Sequence, residues 1–475
     1  MSKNLWNKMT SKVLRFNFYI LVVFSLFQGC EVKDQKSPEK VNKAQLEIPQ
    51  VISSLVEEYN DRNVFEGAVL VAQSDSIIFE KAYGLSNRQS NEYFTVDTVM
   101  PVASLTKPIT SSLILMLVEQ GKLSLSQSVS DFFPEFENDI TIHHLLSHTS
   151  GIPSHFLIEG WFSPEFHQNT SDDEFVTIIS SLPLRFTPGT DLEYSNLGYF
   201  LLGEIIESVE GKPYPEVFEQ MIFKPLNMKH TSFVYKHESD SAKGYQWKAG
   251  GGYKLQSPND FKLLGAGGAI QTSIGDLYRF QHGLHESDLI SLKSRDQIFN
   301  SESPYSWNIN KFKIGADKKV TMHSYEGKFD GYSAMITRFV EDKYAIIILS
   351  NTGTSYQLKQ QLTSDITSVL YGQPAPDLSK DKVIFLVNSL VEGRFDNAMA
   401  KLELDNGLEP IDEQTLTALA YEILWSALAD ESLQLFSFLY AEFEASSAAK
   451  ENIGMACNHR LAINAQKKSL FCQGN

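Results

Sequence analysis

Two β-hairpin signatures stand more than 240 residues apart, and a sheet that joins them must enclose everything between. The first is GAVLVAQSDSIIFEKAYG (67–84), two strand-like runs around the polar turn Gln73-Ser74-Asp75-Ser76. The second is SAMITRF (333–339) and YAIIILSN (344–351) around Val340-Glu341-Asp342-Lys343. The stretch between them alternates amphipathic helices with short strands, so the pattern over 45–371 predicts an α+β body rather than a parallel α/β one. A helix precedes the first hairpin, because Ile48, Val51, Ile52, Leu55, Val56 and Tyr59 recur at helical spacing. Gly372-Gln373-Pro374-Ala375-Pro376 breaks the pattern, and the sequence beyond it is helical in character and strand-poor. A domain boundary is therefore expected there, with a linker over 372–382 and an α-helical domain over 383–475.

Within 383–475, an offset of 34 residues pairs Leu419 with Ile453, Ala420 with Gly454 and Phe436 with Leu470. That offset is the length of a tetratricopeptide repeat, and ENIGMA (451–456) resembles the first helix of one; a plain helical bundle is the alternative. Cys457 and Cys472 could pair in an oxidising compartment, or stay as two buried thiols.

The chain of 475 residues has room for about three domains, or for one large body with an appendage. A net charge of −17 argues against a nucleic-acid-binding surface. Aromatic residues at 12 % mark a chain that buries a core, and three cysteines exclude a disulfide scaffold. Lys3, Lys8, Lys12 and Arg15 precede the apolar run FNFYILVVFSLF (16–27), which reads as a secretory leader too short to span a bilayer comfortably. The run ends at Gln28-Gly29-Cys30, which resembles the lipobox of bacterial lipoproteins. The resemblance implies removal of 1–29, lipidation of Cys30, and a protein tethered by that lipid to the bacterial cell envelope, facing periplasm or exterior. Ordinary secretion or an uncleaved anchor is the alternative. Residues 30–44 are polar and lack aromatics, so they read as a flexible stalk.

Ser-x-x-Lys places a hydroxyl and an amine on one face of a helix, one turn apart. At a helix N-terminus the dipole and the free N–H groups favour a reactive hydroxyl beside an amine that gives up its proton. The pattern occurs four times, at Ser37/Lys40, Ser104/Lys107, Ser379/Lys382 and Ser447/Lys450. Only Ser104 opens a strongly apolar helix, since Ile109, Leu113, Ile114, Met116 and Leu117 follow before Gly121.

ASLTK (103–107) is followed by ITIHHLLSHTSGIP (140–153), FTPGTDLEYSNLGYFLLGEIIE (186–207), GAGGAIQTSIGDLYRF (265–280), EGKFDGY (326–332) and IIILSNTG (346–353). In that order these segments resemble the serine β-lactamase and penicillin-binding protein superfamily, in its class C-like branch of β-lactamases, D-peptidases and esterases. The resemblance implies an antiparallel sheet flanked by helices, with a helical subdomain. It makes Ser104 the acylated nucleophile and Lys107 its activating amine. Tyr194 of Tyr-Ser-Asn would take the proton from Ser104 and return it to the leaving group, its pKa lowered from about 10 by the ammonium nearby. Asn196 would hydrogen-bond Lys107 and the substrate amide. The third motif falls at Tyr325-Glu326-Gly327, so a tyrosine stands where a basic residue is common; anchoring it on His323 instead would need a two-residue insertion. The N–H groups of Ser104 and Lys328 would form the oxyanion hole. Tyr325 can give a substrate carboxylate a hydrogen bond but no charge, which Lys328 is then placed to supply.

His144 and His148 are spaced as zinc ligands on a helix would be, but no Glu completes a His-Glu-x-x-His pattern, and no metal or organic cofactor is expected. The expected function is that of a secreted, lipid-anchored serine hydrolase that forms an acyl-enzyme at Ser104. Its substrates would be small amides or esters, with D-amino-acid peptides and β-lactams as candidates. The alternative is a non-catalytic protein that keeps the fold and docks a protein partner through its C-terminal helices.

Overall fold

The computed structural model describes residues 48–442, except for 138, 162, 235–240, 257–261, 301, 315–317, 330, 354–355, 403–407, 410 and 427. The leader, the stalk, Cys30, the segment 451–456, Cys457 and Cys472 lie outside the described residues.

Six strands form the main sheet: β1 (Gly67–Gln73), β2 (Ser76–Tyr83), β3 (Asn308–Ile314), β4 (Lys318–Phe329), β5 (Tyr332–Phe339) and β6 (Tyr344–Ser350). Their order is β3-β4-β5-β6-β1-β2, so the two hairpins meet at the β6–β1 seam. That seam is antiparallel, in register from Ala68↔Leu349 to Gln73↔Tyr344. Residues along each strand alternate between faces, and both faces are covered. Ala68, Leu70, Ile336, Ile347 and Leu349 point into one core. Val69, Val71, Phe339, Ile346 and Ile348 point into another. Burial on both sides is why β1 and β6 read as unbroken apolar runs.

The first core holds the site. There α2 (Thr106–Glu119) packs on α3 (Asn196–Glu210), α3 also meets the helical segment 142–146, and Phe175 of the segment 172–181 packs on Phe200 of α3 in the same core. Ile109, Leu113, Ile114, Leu115 and Leu117 of α2 are wholly buried, and Gly121 with φ +70° lets the chain turn away. Ser195 caps α3 by accepting from the Gly198 N–H, and Gly211 closes it in the left-handed conformation.

The second core is built by α1 (Ile48–Asp61), which buries Ile52, Leu55, Val56 and Tyr59, and by the helices after the sheet. Following α4 (Ile274–Glu286), which packs on the site face of the sheet, these are α5 (Tyr356–Leu370), α6 (Lys382–Val391), α7 (Phe395–Leu402), α8 (Glu413–Trp425) and α9 (Ala429–Glu442). Leu362 and Ile366 of α5, Leu386 of α6, Leu419 and Ile423 of α8, and Phe436 of α9 share one apolar cluster with the outer face of the sheet. Each fully buried side chain of this kind contributes about 1.5–3 kcal/mol, so these helices and the sheet stabilise one another. Leu419, Ala420 and Phe436 are core residues, but their counterparts at the 34-residue offset lie outside the described residues. No helix among the described residues is long and apolar enough to cross a membrane.

Candidate active site

Ser104 sits in a single 3-10 turn, Ala103–Leu105, that runs directly into α2. The turn is forced: Ala103 has φ +48°, a conformation costing an alanine about 1–3 kcal/mol. It is held from both sides. The Val102 N–H donates to the Ile270 carbonyl at 3.0 Å, and the Ile270 N–H donates to the Thr106 hydroxyl at 3.1 Å. The serine hydroxyl is thereby presented at the foot of a buried helix.

Lys107, one turn later, is completely buried. Its Nζ lies 2.6 Å from Asn196 Oδ1, 2.5 Å from the Gly267 carbonyl oxygen and 3.2 Å from Ser104 Oγ. Burial holds this amine well below the usual lysine range. An ammonium here donates to all three oxygens; once the amine gives up one proton, its two remaining hydrogens satisfy the two shorter contacts and its lone pair turns to Ser104. Tyr194 closes the other side, its hydroxyl 2.5 Å from Ser104 Oγ and 3.2 Å from Asn196 Oδ1.

The expected lowering of the Tyr194 pKa is corrected here. Burial pushes the phenol up, and its hydrogen bonds with Ser104 and Tyr325 oppose that only in part. Burial thus favours keeping the proton on Tyr194 and losing one from Lys107.

β4 borders the site as anticipated for the third motif. β3 covers it only as far as Asn308↔Ser324, so from Tyr325 onward the outer edge of β4 is open to the turn carrying Ser104. Gly327 lies against that turn: a Cβ there would overlap the Val102 carbonyl oxygen and come within 3.0 Å of the Ser104 nitrogen. Only glycine permits this approach. Tyr325 turns inward, its hydroxyl within hydrogen-bonding reach of Tyr194 and Ser306. His323 is remote from the serine, stacked on Phe299 at 4.0 Å and bonded to His285 at 3.3 Å. Lys328 points to the opposite face of the sheet, where its ammonium lies 3.6 Å from Glu422 of α8. The charge expected of it beside the substrate is engaged there instead.

His148, with φ +60°, lies with its ring 4.6 Å from that of Tyr194 and 5.1 Å from that of Tyr199. Its Nδ1 accepts from the Ser195 N–H at 3.2 Å, which ties the turn to the residue capping α3. His144 caps its own short helix through Thr141. Among the described residues, no three His, Cys, Asp or Glu side chains are grouped to hold a metal.

Two participants escaped the sequence reading. One is the Gly267 carbonyl, which has no side-chain signature. The other is His155, whose Nδ1 lies 3.2 Å from Asn196 Nδ2 and whose ring packs on Trp161. Burial pushes its pKa down to about 3, so it is neutral, and with the amide nitrogen of Asn196 on its side the amide oxygen faces Lys107. Its position three residues beyond Ile152 in Gly-Ile-Pro-Ser-His was the available signal.

A serine with a buried amine whose pKa is held low, a phenol and a carboxamide within one hydrogen-bond network defines a serine acyl-transfer site. The family model described as Beta-lactamase matches residues 52–370, and the chain belongs to that family, within the superfamily of serine β-lactamases and penicillin-binding proteins; it is a serine hydrolase by family. Penicillin-binding protein 4* of Bacillus subtilis (strain 168) is 26 % identical over 370 residues, covering 72 % of this chain and 81 % of that protein. The crystal structure of D-amino acid amidase from Ochrobactrum anthropi SV3, complexed with L-phenylalanine, shares the fold with a TM-score of 0.56 at 20 % identity, over 68 % of this chain and 97 % of that one. EstCE1, a hydrolase with promiscuous acyltransferase activity, does so with a TM-score of 0.56 at 18 % identity, over 68 % and 98 %.

Proposed function

We propose that this protein hydrolyses small amides or esters through an acyl-enzyme on Ser104, and that it does so tethered to the bacterial cell envelope by a lipid on Cys30. The observation that carries the catalytic part is the buried Lys107 amine 3.2 Å from Ser104 Oγ, with the Tyr194 hydroxyl at 2.5 Å on the other side. As Oγ attacks the substrate carbonyl, its proton passes to Lys107. The developing oxyanion is met by the N–H groups of Ser104 and Lys328. Tyr194 gives its proton to the leaving nitrogen or oxygen. The phenolate that remains is balanced by the new Lys107 ammonium, 4.8 Å from the tyrosine ring. Water then enters the same position, and the reverse proton movements release the acid.

The site is enclosed by aromatic rings and offers Tyr325 rather than a cation to a substrate carboxylate. This favours uncharged esters and amides, including derivatives of D-amino acids as in the amidase of similar fold, over substrates with a free carboxylate. β-Lactams fit the same acylation chemistry. The test is turnover of nitrophenyl esters, D-amino-acid amides and a chromogenic β-lactam by the wild type and Ser104→Ala. Loss of every activity in the variant, at unchanged melting temperature, supports the proposal; retained turnover overturns it. For the anchor, metabolic labelling with a fatty-acid probe should be lost in Cys30→Ala.

A further inference from the structure

The side chains of β4 that face away from Ser104 form an ordered row of charges. Glu326 lies 3.4 Å from Lys359 of α5, and Lys328 lies 3.6 Å from Glu422 of α8. Lys359 is fully buried, Glu422 is 12 % exposed and Glu326 is 22 % exposed; only Lys328 keeps much contact with water. The signs alternate along Lys359, Glu326, Lys328 and Glu422, so each inner charge is flanked by opposite ones. Two helices are thus fastened to Glu326 and Lys328, neighbours on one face of one strand.

Those residues need fastening. Beyond Ser324, β4 has lost its β3 neighbour and is paired on one side only, with β5, through Gly327↔Ala334 and Lys328↔Ser333. A half-paired strand end is where a sheet opens most readily. Yet this is the stretch whose N–H, at Lys328, has to stay fixed in space for an oxyanion to form, because preorganised donors act only if they do not move during reaction. α8 lies beyond residue 370, where the match to the family ends.

We propose that Glu422 is a positioning residue for the oxyanion edge: by holding Lys328 from α8, it makes the C-terminal helices part of the catalytic unit. The proposal rests on the hydrolase reading above for its kinetic consequence, but not for its structural one.

The full-length chain tests it with Glu422→Gln, which keeps the shape and removes the charge, with Lys328→Met, which keeps the backbone N–H, and with the exchanged pair Lys328→Glu/Glu422→Lys. Two quantities are read: amide hydrogen exchange of the peptide spanning 325–329, and kcat and KM for nitrophenyl acetate. Both single variants should exchange faster over 325–329. Their kcat should fall about tenfold, less than the loss of a whole oxyanion donor, with KM changed less than about twofold. The exchanged pair should recover at least half of the lost kcat on a logarithmic scale. Unchanged exchange in Glu422→Gln with unchanged kcat, in a wild type that is acylated, overturns the positioning role and leaves the hydrolase reading intact. Faster exchange in a protein whose wild type is never acylated at Ser104 supports the positioning role and sinks the hydrolase reading. If Glu422→Gln fails to fold, Lys328→Met reads the same pair.

Discussion

Lys107 Nζ and Ser104 Oγ are 3.2 Å apart, and the other two neighbours of the amine, Asn196 Oδ1 and the Gly267 carbonyl, can only accept hydrogen bonds. Burial favours the uncharged amine, and in that form this arrangement turns its lone pair to Ser104. Replacing Lys107 by alanine should slow acylation by about 10³-fold, within the range for loss of a positioned general base. Lys107→Arg should not rescue, because a guanidinium stays protonated. Stopped-flow acylation with an activated ester checks both.

The same burial predicts a pH signature in stability. The folded pKa of Lys107 lies well below its value of about 10.4 in an unfolded chain. Between those two values the unfolded state carries one proton more, so the native state gains stability as pH rises through the interval and is penalised most below it. Lys107→Met should therefore flatten the rise of stability with pH that the wild type shows below about pH 10. Urea unfolding at a series of pH values measures the slope; an identical slope in the variant would mean that the amine is charged in the native protein.

Gly327→Ala places a methyl group onto the Val102 carbonyl. The strand or the serine turn must then move apart, at about 1–3 kcal/mol of overpacking. Because that displacement falls on the oxyanion edge, acylation should drop by about 10²-fold, as for a lost donor. Melting and single-turnover kinetics together separate the two effects.

On the proposed function, Tyr325 sets how a free carboxylate on the substrate is received. A lysine in its place would offer a carboxylate a charge-assisted hydrogen bond worth about 1.5–3 kcal/mol. For a pair of substrates that differ only as free acid and methyl ester, Tyr325→Lys should raise the acid-to-ester ratio of kcat/KM by about tenfold or more. An unchanged ratio would mean that the residue is out of the substrate's reach.

The sequence carried those parts of the molecule that are written in local chemistry. Alternating apolar runs with polar turns located both hairpins, and the sheet indeed closes through β1 and β6. Ser104, Lys107, Tyr194 and Asn196 are brought together, the first two one helical turn apart and the other two where the family resemblance implied. What was hidden depends on direction and depth. Strand alternation sends Tyr325 inward and Lys328 outward, and a carrier of charge is not a substrate contact when its side chain leaves on the wrong face. The Tyr194 and Lys107 protonation states depend on how dry the site is, which no motif states. The Gly-Pro-rich segment at 372–376 separates α5 from the helices that follow, but the apolar cluster running through α5, α6, α8 and the outer face of the sheet is a matter of packing that composition cannot express.

Whether Ser104 is an activated nucleophile is read by treating the folded protein with a fluorophosphonate probe and mapping the adduct by peptide mass. One adduct is expected, on Ser104, absent in Ser104→Ala and strongly slowed in Lys107→Ala. A folded wild type that takes up no probe, or takes it up equally in Lys107→Ala, would contradict it.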